Sequence, residues 1–457
     1  MLDKNKIMIL CKVVDNFGDI GVVYRLARAL SDLRPNLELT LVVSNLESFH
    51  KMASQIDPTK KIQDFHYKNT TWKIVDWNLE TESGNLKNEN SKGASACAAG
   101  LSEVPLPLHT ASGTATPPLQ SLAQDSNSKP QFSIFNFQPS IILECFQCGR
   151  PDWLEEQLFA PEFTRTVQII QIDYLTAEEY ADEFHLLKSG TRKANIKKIF
   201  FMPGFTEKTA GLIINEQLAV SNEQSGAPAS PSRFSPFRFR SIPSQDEGTP
   251  AAGLQSLAHP AFKIFFFAYE DDCSAVVKGI ADFQNKMRKT DSDFSVVVYL
   301  AEGKSSAPFE EKWKILNSPF KIVKIPFLQQ EEFDYFITTM DFLFVRGEDS
   351  LARAALTGLP YIWQAYKQDE NYQLVKVNAL LERLKEYFKP EEFESIRDFW
   401  QSYNDYENAT KSEPLTQMLL DSAKHTNTHG FENFAKKLHE NGNLAEHLLR
   451  FIDSLVL

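Results

Sequence analysis

Short apolar runs alternate with helix-like segments twice along this chain, and this double alternation limits the folds that it can adopt. In the first cycle, strands are predicted for residues 7–14, 38–43, 141–145 and 167–173, and helices for 19–30 and 46–52. Parallel strands need long crossover connections, usually helices, so this order is typical of a parallel sheet. The first half of the chain is therefore predicted to form an α/β domain.

A second cycle of the same kind begins near Ala261. Its strands are predicted for 263–268, 294–300, 320–325 and 341–345, and its helices for 274–287, after Gln329 and after Glu348. We therefore predict two α/β domains, 1–258 and 260–430, with a cleft between them. Apolar residues recur at helical spacing in 431–457, so this segment is expected to pack back on the first domain.

Two segments of different composition interrupt the pattern. Residues 82–130 and 220–258 are rich in small and polar residues, with few of the apolar residues that a core needs. Insertions are tolerated where they do not disturb a core, so both segments are predicted to be surface insertions in the first domain.

Composition excludes several classes of function. A formal net charge of −12 argues against binding to nucleic acid, which requires a basic surface. The 5 cysteines are odd in number and scattered, which favours a reducing compartment over a disulfide framework. No apolar run is long enough for a signal peptide or a membrane span. We expect a cytoplasmic protein whose partner is a small anion or another protein.

The first stretch that suggests chemistry is 13–21, at the predicted carboxyl end of a strand and the start of a helix. Ligands of open parallel sheets bind at such ends. Asp15 and Asp19 would repel a diphosphate, so a cationic or hydroxyl-bearing acceptor suits this turn better. In the alternative interpretation, Asp19 caps the helix and Asp15 closes the turn.

The second stretch, 342–354, also runs from a strand through a turn into a helix. A helix N-terminus preceded by Gly347 predicts an anion site for a donor diphosphate. Glu348 and Asp349 have an ordinary explanation as first-turn acids, which the helix dipole favours. Acids beside a diphosphate are nevertheless unexpected, so Glu348 is also a catalytic candidate.

A third stretch, 325–333, places Phe327, Gln330 and Phe333 at three-residue spacing after a predicted strand. Two rings and an amide can bind a nucleobase by stacking and by hydrogen bonds to its edge. The alternative is that the two rings belong to the core of this phenylalanine-rich chain. No metal site is predicted, because Cys145 and Cys148 lack further zinc ligands nearby.

Together, these stretches resemble one family, the elongation-factor-P-specific protein-arginine rhamnosyltransferases. The resemblance is carried by VVDNFGDIGVVYRLARAL, FFMPGFTEKTAGL, IPFLQQEEFD and RGEDSLARAALTGLPYIWQ, and it covers nearly the whole chain apart from the two insertions. It implies a GT-B fold of two Rossmann-like domains. It also implies metal-independent, inverting transfer of L-rhamnose from dTDP-β-L-rhamnose to an arginine of translation elongation factor P, with no cofactor.

The resemblance further implies roles for individual residues. Asp19 matches the carboxylate that is proposed to be catalytic in that family, and Asp15 is its companion. The donor site implied by the match comprises Phe267, Phe327, Gln330, Phe333, Glu348, Asp349 and Ser350. The choice of Phe267 within the run of three phenylalanines at 265–267 stays open. Two other functions also stay open, namely transfer to a glycan or lipid by another GT-B enzyme, and partner binding without catalysis.

Overall fold

The structure is a computed structural model that describes residues 3–14, 17–79, 139–215, 218 and 261–455. Asp15 and the two predicted insertions, 82–130 and 220–258, lie outside the described residues. Among the residues that are described, no helix combines the length and the apolar character needed to cross a membrane.

The first domain is built on an eight-stranded sheet. Its strands are β1 (Lys6–Cys11), β2 (Glu38–Val43), β3 (Ile62–Tyr67), β4 (Thr70–Asp76), β5 (Ile141–Cys145), β6 (Val167–Ile172), β7 (Lys188–Ser189) and β8 (Ile196–Phe201). Its helices are α1 (Gly18–Leu33), α2 (Leu46–Met52), α3 (Asp152–Phe159) and α4 (Tyr180–Phe184). The spatial order is β3-β4-β2-β1-β5-β6-β8-β7, in which β3 and β7 pair antiparallel with their neighbours and the other pairs are parallel.

The second domain is built on a five-stranded parallel sheet. Its strands are β9 (Phe262–Phe266), β10 (Val296–Ala301), β11 (Lys321–Ile325), β12 (Phe342–Arg346) and β13 (Tyr361–Gln364), in the order β11-β10-β9-β12-β13. Helices α5 (Ser274–Met287), α6 (Ser306–Ile315), α7 (Gln330–Ile337) and α8 (Gly347–Thr357) alternate with these strands. Five more helices follow, namely α9 (Tyr372–Leu384), α10 (Pro390–Asn404), α11 (Ser412–Ala423), α12 (Thr428–Glu440) and α13 (Leu444–Ser454).

Both sheets have the strand order of a Rossmann-like domain. In each sheet the chain starts in the middle, proceeds to one side and then returns to the other, so the order reverses beside β1 and again beside β9. The predicted fold class, two Rossmann-like α/β domains, is confirmed by these sheets. Ligands of such sheets bind outside the carboxyl ends of the strands at the point of reversal. The topology thus directs attention to the loops after β1, β5, β9 and β12.

The last two helices divide between the two cores. In α12, Phe431 and Phe434 are buried with the second sheet. In α13, Leu444, Leu448 and Ile452 are buried with the first sheet, and the helix contacts α1. The chain therefore returns to the first domain in its last helix, and this return ties the two domains together.

Candidate active site

Asp19 lies in the first turn of α1, just beyond the carboxyl end of β1, and is only 3% exposed. Its carboxylate accepts hydrogen bonds from the Val14 backbone N–H at 2.8 Å and from the Tyr174 hydroxyl at 3.4 Å. The N-cap position of α1 is occupied by Phe17. Asp19 is therefore not the N-cap residue, and its carboxylate binds the loop before the helix.

Tyr174 is a site residue that the motifs did not reveal. It follows β6, lies 36% exposed, and stacks on Phe146 with ring centroids 4.7 Å apart. Burial raises the pKa of the Tyr174 phenol, and the charges of Asp19 and Glu348 raise it further. Leu175, the residue after Tyr174, lines a small pocket together with Leu351 of α8, so α8 of the second domain lies close to this loop. A usable sequence signal was the pair Asp173-Tyr174 directly after the buried strand β6.

On the other side of the cleft, Arg346 ends β12 beside two aromatic rings. Its guanidinium carbon lies 4.4 Å from the ring centroid of Phe267 and 4.8 Å from that of Tyr269. Phe267 directly follows β9, so it lies at the reversal point of the second sheet. A guanidinium placed there offers a planar, permanently charged partner for a phosphate group. Arg346 and Tyr269 were not singled out from the sequence.

Gly347 begins α8 with a φ of +62°, a conformation that side chains disfavour. A Cβ added there would lie 3.2 Å from the Tyr269 hydroxyl oxygen, so a larger residue would be strained and crowded. The first N–H groups of a helix have no intrahelical acceptors, and with the helix dipole they favour an anion. Arg346 and the backbone N–H groups at the start of α8 therefore supply hydrogen-bond donors for an anion at the carboxyl edge of the second sheet.

The two acids in the first turn of α8 are both paired with cations. Asp349 contacts Arg25 and lies 3.0 Å from Arg353, while Glu348 lies 3.5 Å from the Lys376 ammonium. Burial alone would raise the pKa of Asp349, but the guanidinium charges of Arg353 and Arg25 lower it. These partners offset the negative charge that would otherwise oppose a diphosphate.

The predicted nucleobase residues are placed differently from one another. Phe327 is 55% exposed, and its ring centroid lies 5.6 Å from that of Phe17 in the first domain. Phe333 packs edge-on against Phe265, at 5.6 Å, and Phe265 in turn stacks with Phe267. The structure thus brings Phe267 and Phe333 into one aromatic cluster, with Phe327 accessible at the cleft.

Gln330 and Ser350 already have partners within the protein. Gln330 donates its amide N–H to the Gly21 carbonyl at 2.9 Å, and its Oε1 is buried without a hydrogen-bond partner in the described part of the chain. Ser350 donates to the Arg346 carbonyl in the turn before α8. Their direct contact with a donor stays a prediction, as does that of Asp349. Asp15 cannot be placed because it lies outside the described residues.

Within the described ranges, no three His, Cys, Asp or Glu side chains are grouped so as to hold a metal ion. Burial raises the pKa of Cys145 well above its usual value and that of Cys148 to about 11. These values describe the metal-free thiols, whose burial disfavours the thiolate.

Phe327 provides a test of the predicted nucleobase site. We expect Phe327→Ala to weaken the binding of thymidine diphosphate by about 1–3 kcal/mol, the range for the loss of one stacked base. Titration calorimetry measures this change. Phe184→Ala is a matched control, because Phe184 is an exposed phenylalanine that packs on Tyr180 and Phe200 of the first domain. Unchanged affinity in a folded Phe327→Ala variant would assign Phe327 a packing role.

Two Rossmann-like domains joined by contacts of α1 and α13, with loops at the carboxyl ends of both sheets between them, form the GT-B fold. This is the fold of a large class of glycosyltransferases. Residues 7–96 and 124–453 match the family described as Elongation-Factor P (EF-P) rhamnosyltransferase EarP. The chain belongs to this family and is therefore an enzyme, a rhamnosyltransferase.

Relatives with the name protein-arginine rhamnosyltransferase occur in several bacteria. The one from Shewanella oneidensis is 26% identical over 415 residues, which are 87% of this chain and 84% of the relative. The one from Neisseria meningitidis is 24% identical over 458 residues, or 97% of this chain and 96% of the relative. One similar solved structure carries the description "Structural basis for EarP-mediated arginine glycosylation of translation elongation factor EF-P". Its sequence is 16% identical to this chain, the TM-score is 0.47, and the match covers 98% of this chain and 99% of that chain.

Proposed function

We propose that the enzyme transfers L-rhamnose from dTDP-β-L-rhamnose to an arginine side chain of translation elongation factor P, in the cytoplasm. The observation that carries this proposal is the buried carboxylate of Asp19 in the first turn of α1, a helix that contacts the first turn of α8 through Arg25 and Asp349. The family match supports the choice of rhamnose and of the acceptor protein. A cationic acceptor and an anionic donor thus each have a site of opposite charge.

The acceptor side requires a carboxylate for a specific chemical reason. Arginine is protonated at every physiological pH, so an ordinary base cannot deprotonate it before it attacks. A carboxylate can bind the guanidinium, orient one nitrogen behind the anomeric carbon and take its proton as the C–N bond forms. In our proposal Asp19 performs these steps, with Asp15 as a second carboxylate for the guanidinium.

The donor side must stabilise a departing diphosphate. As the anomeric C–O bond breaks, negative charge develops on thymidine diphosphate, and attack from the opposite face inverts the configuration at that carbon. In our proposal, the guanidinium of Arg346, which lies beside Phe267, and the N–H groups at the start of α8 bind this charge. Glu348 is proposed to contact the donor from the same turn.

The thymidine is proposed to bind to the rings of Phe267, Phe327 and Phe333 and to the Gln330 amide.

The deciding experiment is mass spectrometry of purified elongation factor P after incubation with the enzyme and dTDP-β-L-rhamnose. We expect a deoxyhexose increment on one arginine of the acceptor. An acceptor in which that arginine is replaced by lysine serves as the control and should gain no sugar, because lysine lacks the guanidinium.

Two other outcomes would contradict the proposal in different ways. Hydrolysis or transfer of the donor with no protein adduct would indicate a GT-B enzyme that acts on a glycan or lipid. Tight binding of elongation factor P without donor consumption would indicate a partner-binding protein of the same fold.

A further inference from the structure

We infer that Tyr174 is a positioning residue for the reaction, which holds the carboxylate of Asp19 toward the acceptor. The inference rests on the proposed role of Asp19 as the base. The two residues lie 155 positions apart in the sequence but meet because β1 and β6 end at the same edge of the first sheet. The Tyr174 hydroxyl donates to Asp19 Oδ1 at 3.4 Å, and the Val14 N–H donates to Oδ2 at 2.8 Å.

The ring of Tyr174 is held in place by the loop that follows β5. It stacks on Phe146 with an interplanar angle of 26°, and Phe146 follows β5 with a φ of +59°. The Phe146 N–H donates to the Ile172 carbonyl at 2.7 Å, which fixes this turn to the end of β6. Behind Tyr174, the carboxylate of Asp173 accepts bonds from the Tyr174 backbone N–H at 2.8 Å and from the Gln147 amide at 2.9 Å. The position of the hydroxyl is therefore set by the loops after two strands.

The chemical role of the hydroxyl follows from its surroundings. Among the described residues, the ionisable groups that interact electrostatically with Tyr174 or Asp19 include Cys11 on β1, Cys145 on β5 and Glu348 on α8, and the Asp173 carboxylate is bonded to the Tyr174 backbone. Among these acidic groups the phenol stays neutral at physiological pH, because burial and the neighbouring carboxylates disfavour its ionised form. A neutral phenol remains a hydrogen-bond donor throughout the working pH range. It can hold Asp19 in its charged, proton-accepting form without competing for the proton.

The test is the Tyr174→Phe variant, which removes the hydroxyl and keeps the stacked ring. We expect kcat to fall about tenfold, the equivalent of one hydrogen bond to a charged group. The affinity for thymidine diphosphate should stay unchanged, because the hydroxyl faces the acceptor side. The acidic limb of the kcat/KM profile should move to higher pH, since the carboxylate loses a donor that favours its charged form. A structural role alone would not move this limb.

Tyr180→Phe is the matched control. Tyr180 is a 41% exposed tyrosine of the same domain whose phenol faces Glu178 and Asp173. We expect its pH profile to match that of the wild type. If the profile of folded Tyr174→Phe also matches the wild type, the inference is wrong.

Phe146→Leu keeps the test decisive if Tyr174→Phe fails to fold. This variant removes the stacking partner and should lower kcat while the donor affinity is retained; wild-type kcat would contradict the inference. Failure of the proposed function would be recognised separately, because the wild-type enzyme itself would then modify no arginine.

Discussion

Asp19→Asn is expected to lower the turnover of arginine rhamnosylation by about 10²–10⁴-fold, the range for lost general-base catalysis. Asparagine has nearly the same shape, but it carries no charge and cannot take the proton that leaves the guanidinium. Turnover should be measured at saturating donor and acceptor, so that weaker arginine binding does not contribute. The affinity for thymidine diphosphate should barely change, because the proposed donor site lies near α8 in the second domain.

The fold should tolerate this substitution. The Asn side-chain oxygen can still accept the Val14 N–H bond, and Phe17 remains the N-cap residue of α1. Asp32→Asn is a suitable control, because Asp32 lies near the other end of α1 and pairs with Lys68 at the surface. If Asp19→Asn keeps more than half of the wild-type turnover, Asp19 is not the base. Glu348, which faces the same cleft, would then be the next candidate.

The sequence predicted four of the eight strands of the first sheet and four of the five of the second, because strands buried on both faces are apolar along most of their length. Strands β7, β8 and β13 were not predicted. The predicted strand 141–145 coincides with β5, all of whose residues are buried. The hairpin of β3 and β4 was not predicted. Its residues alternate between buried and exposed in β4 and include polar side chains in β3, so no continuous apolar run marks it.

The contacts between the domains could not be predicted, because they depend on how two separately folded sheets pack. Gln330 meets the Gly21 carbonyl across 309 positions, and Asp349 meets Arg25 across 324. The sequence suggested donor contacts for Gln330 and Asp349, and these contacts remain predictions. The structure adds that both side chains also join α1 to the second domain.

Arg25→Met is expected to lower the free energy of unfolding by about 3 kcal/mol. Arg25 is buried in α1, where its guanidinium contacts Asp349 and donates to the Ile213 carbonyl at 2.8 Å. Asp349 also contacts Arg353, whose guanidinium donates to Asp334 at 2.8 Å, so two cations balance two anions. Removal of one partner of a buried pair costs about 3–5 kcal/mol. We expect the lower end of this range, because the Asp349 side chain is still 23% exposed and water can partly solvate its charge.

Urea unfolding of the variant and the wild type measures this difference, and its pH dependence identifies the cause. Because the pKa of Asp349 is lowered in the folded state, its ion pairs stabilise the protein fully above the unfolded value of 3.8 and less as pH falls below it. The stability difference should therefore shrink in acid. Arg34→Met is the control, since Arg34 pairs with Asp453, whose side chain is 54% exposed, and such surface pairs contribute about 0–1 kcal/mol. A loss in Arg25→Met no larger than in this control would show that the buried network does not hold the domains together.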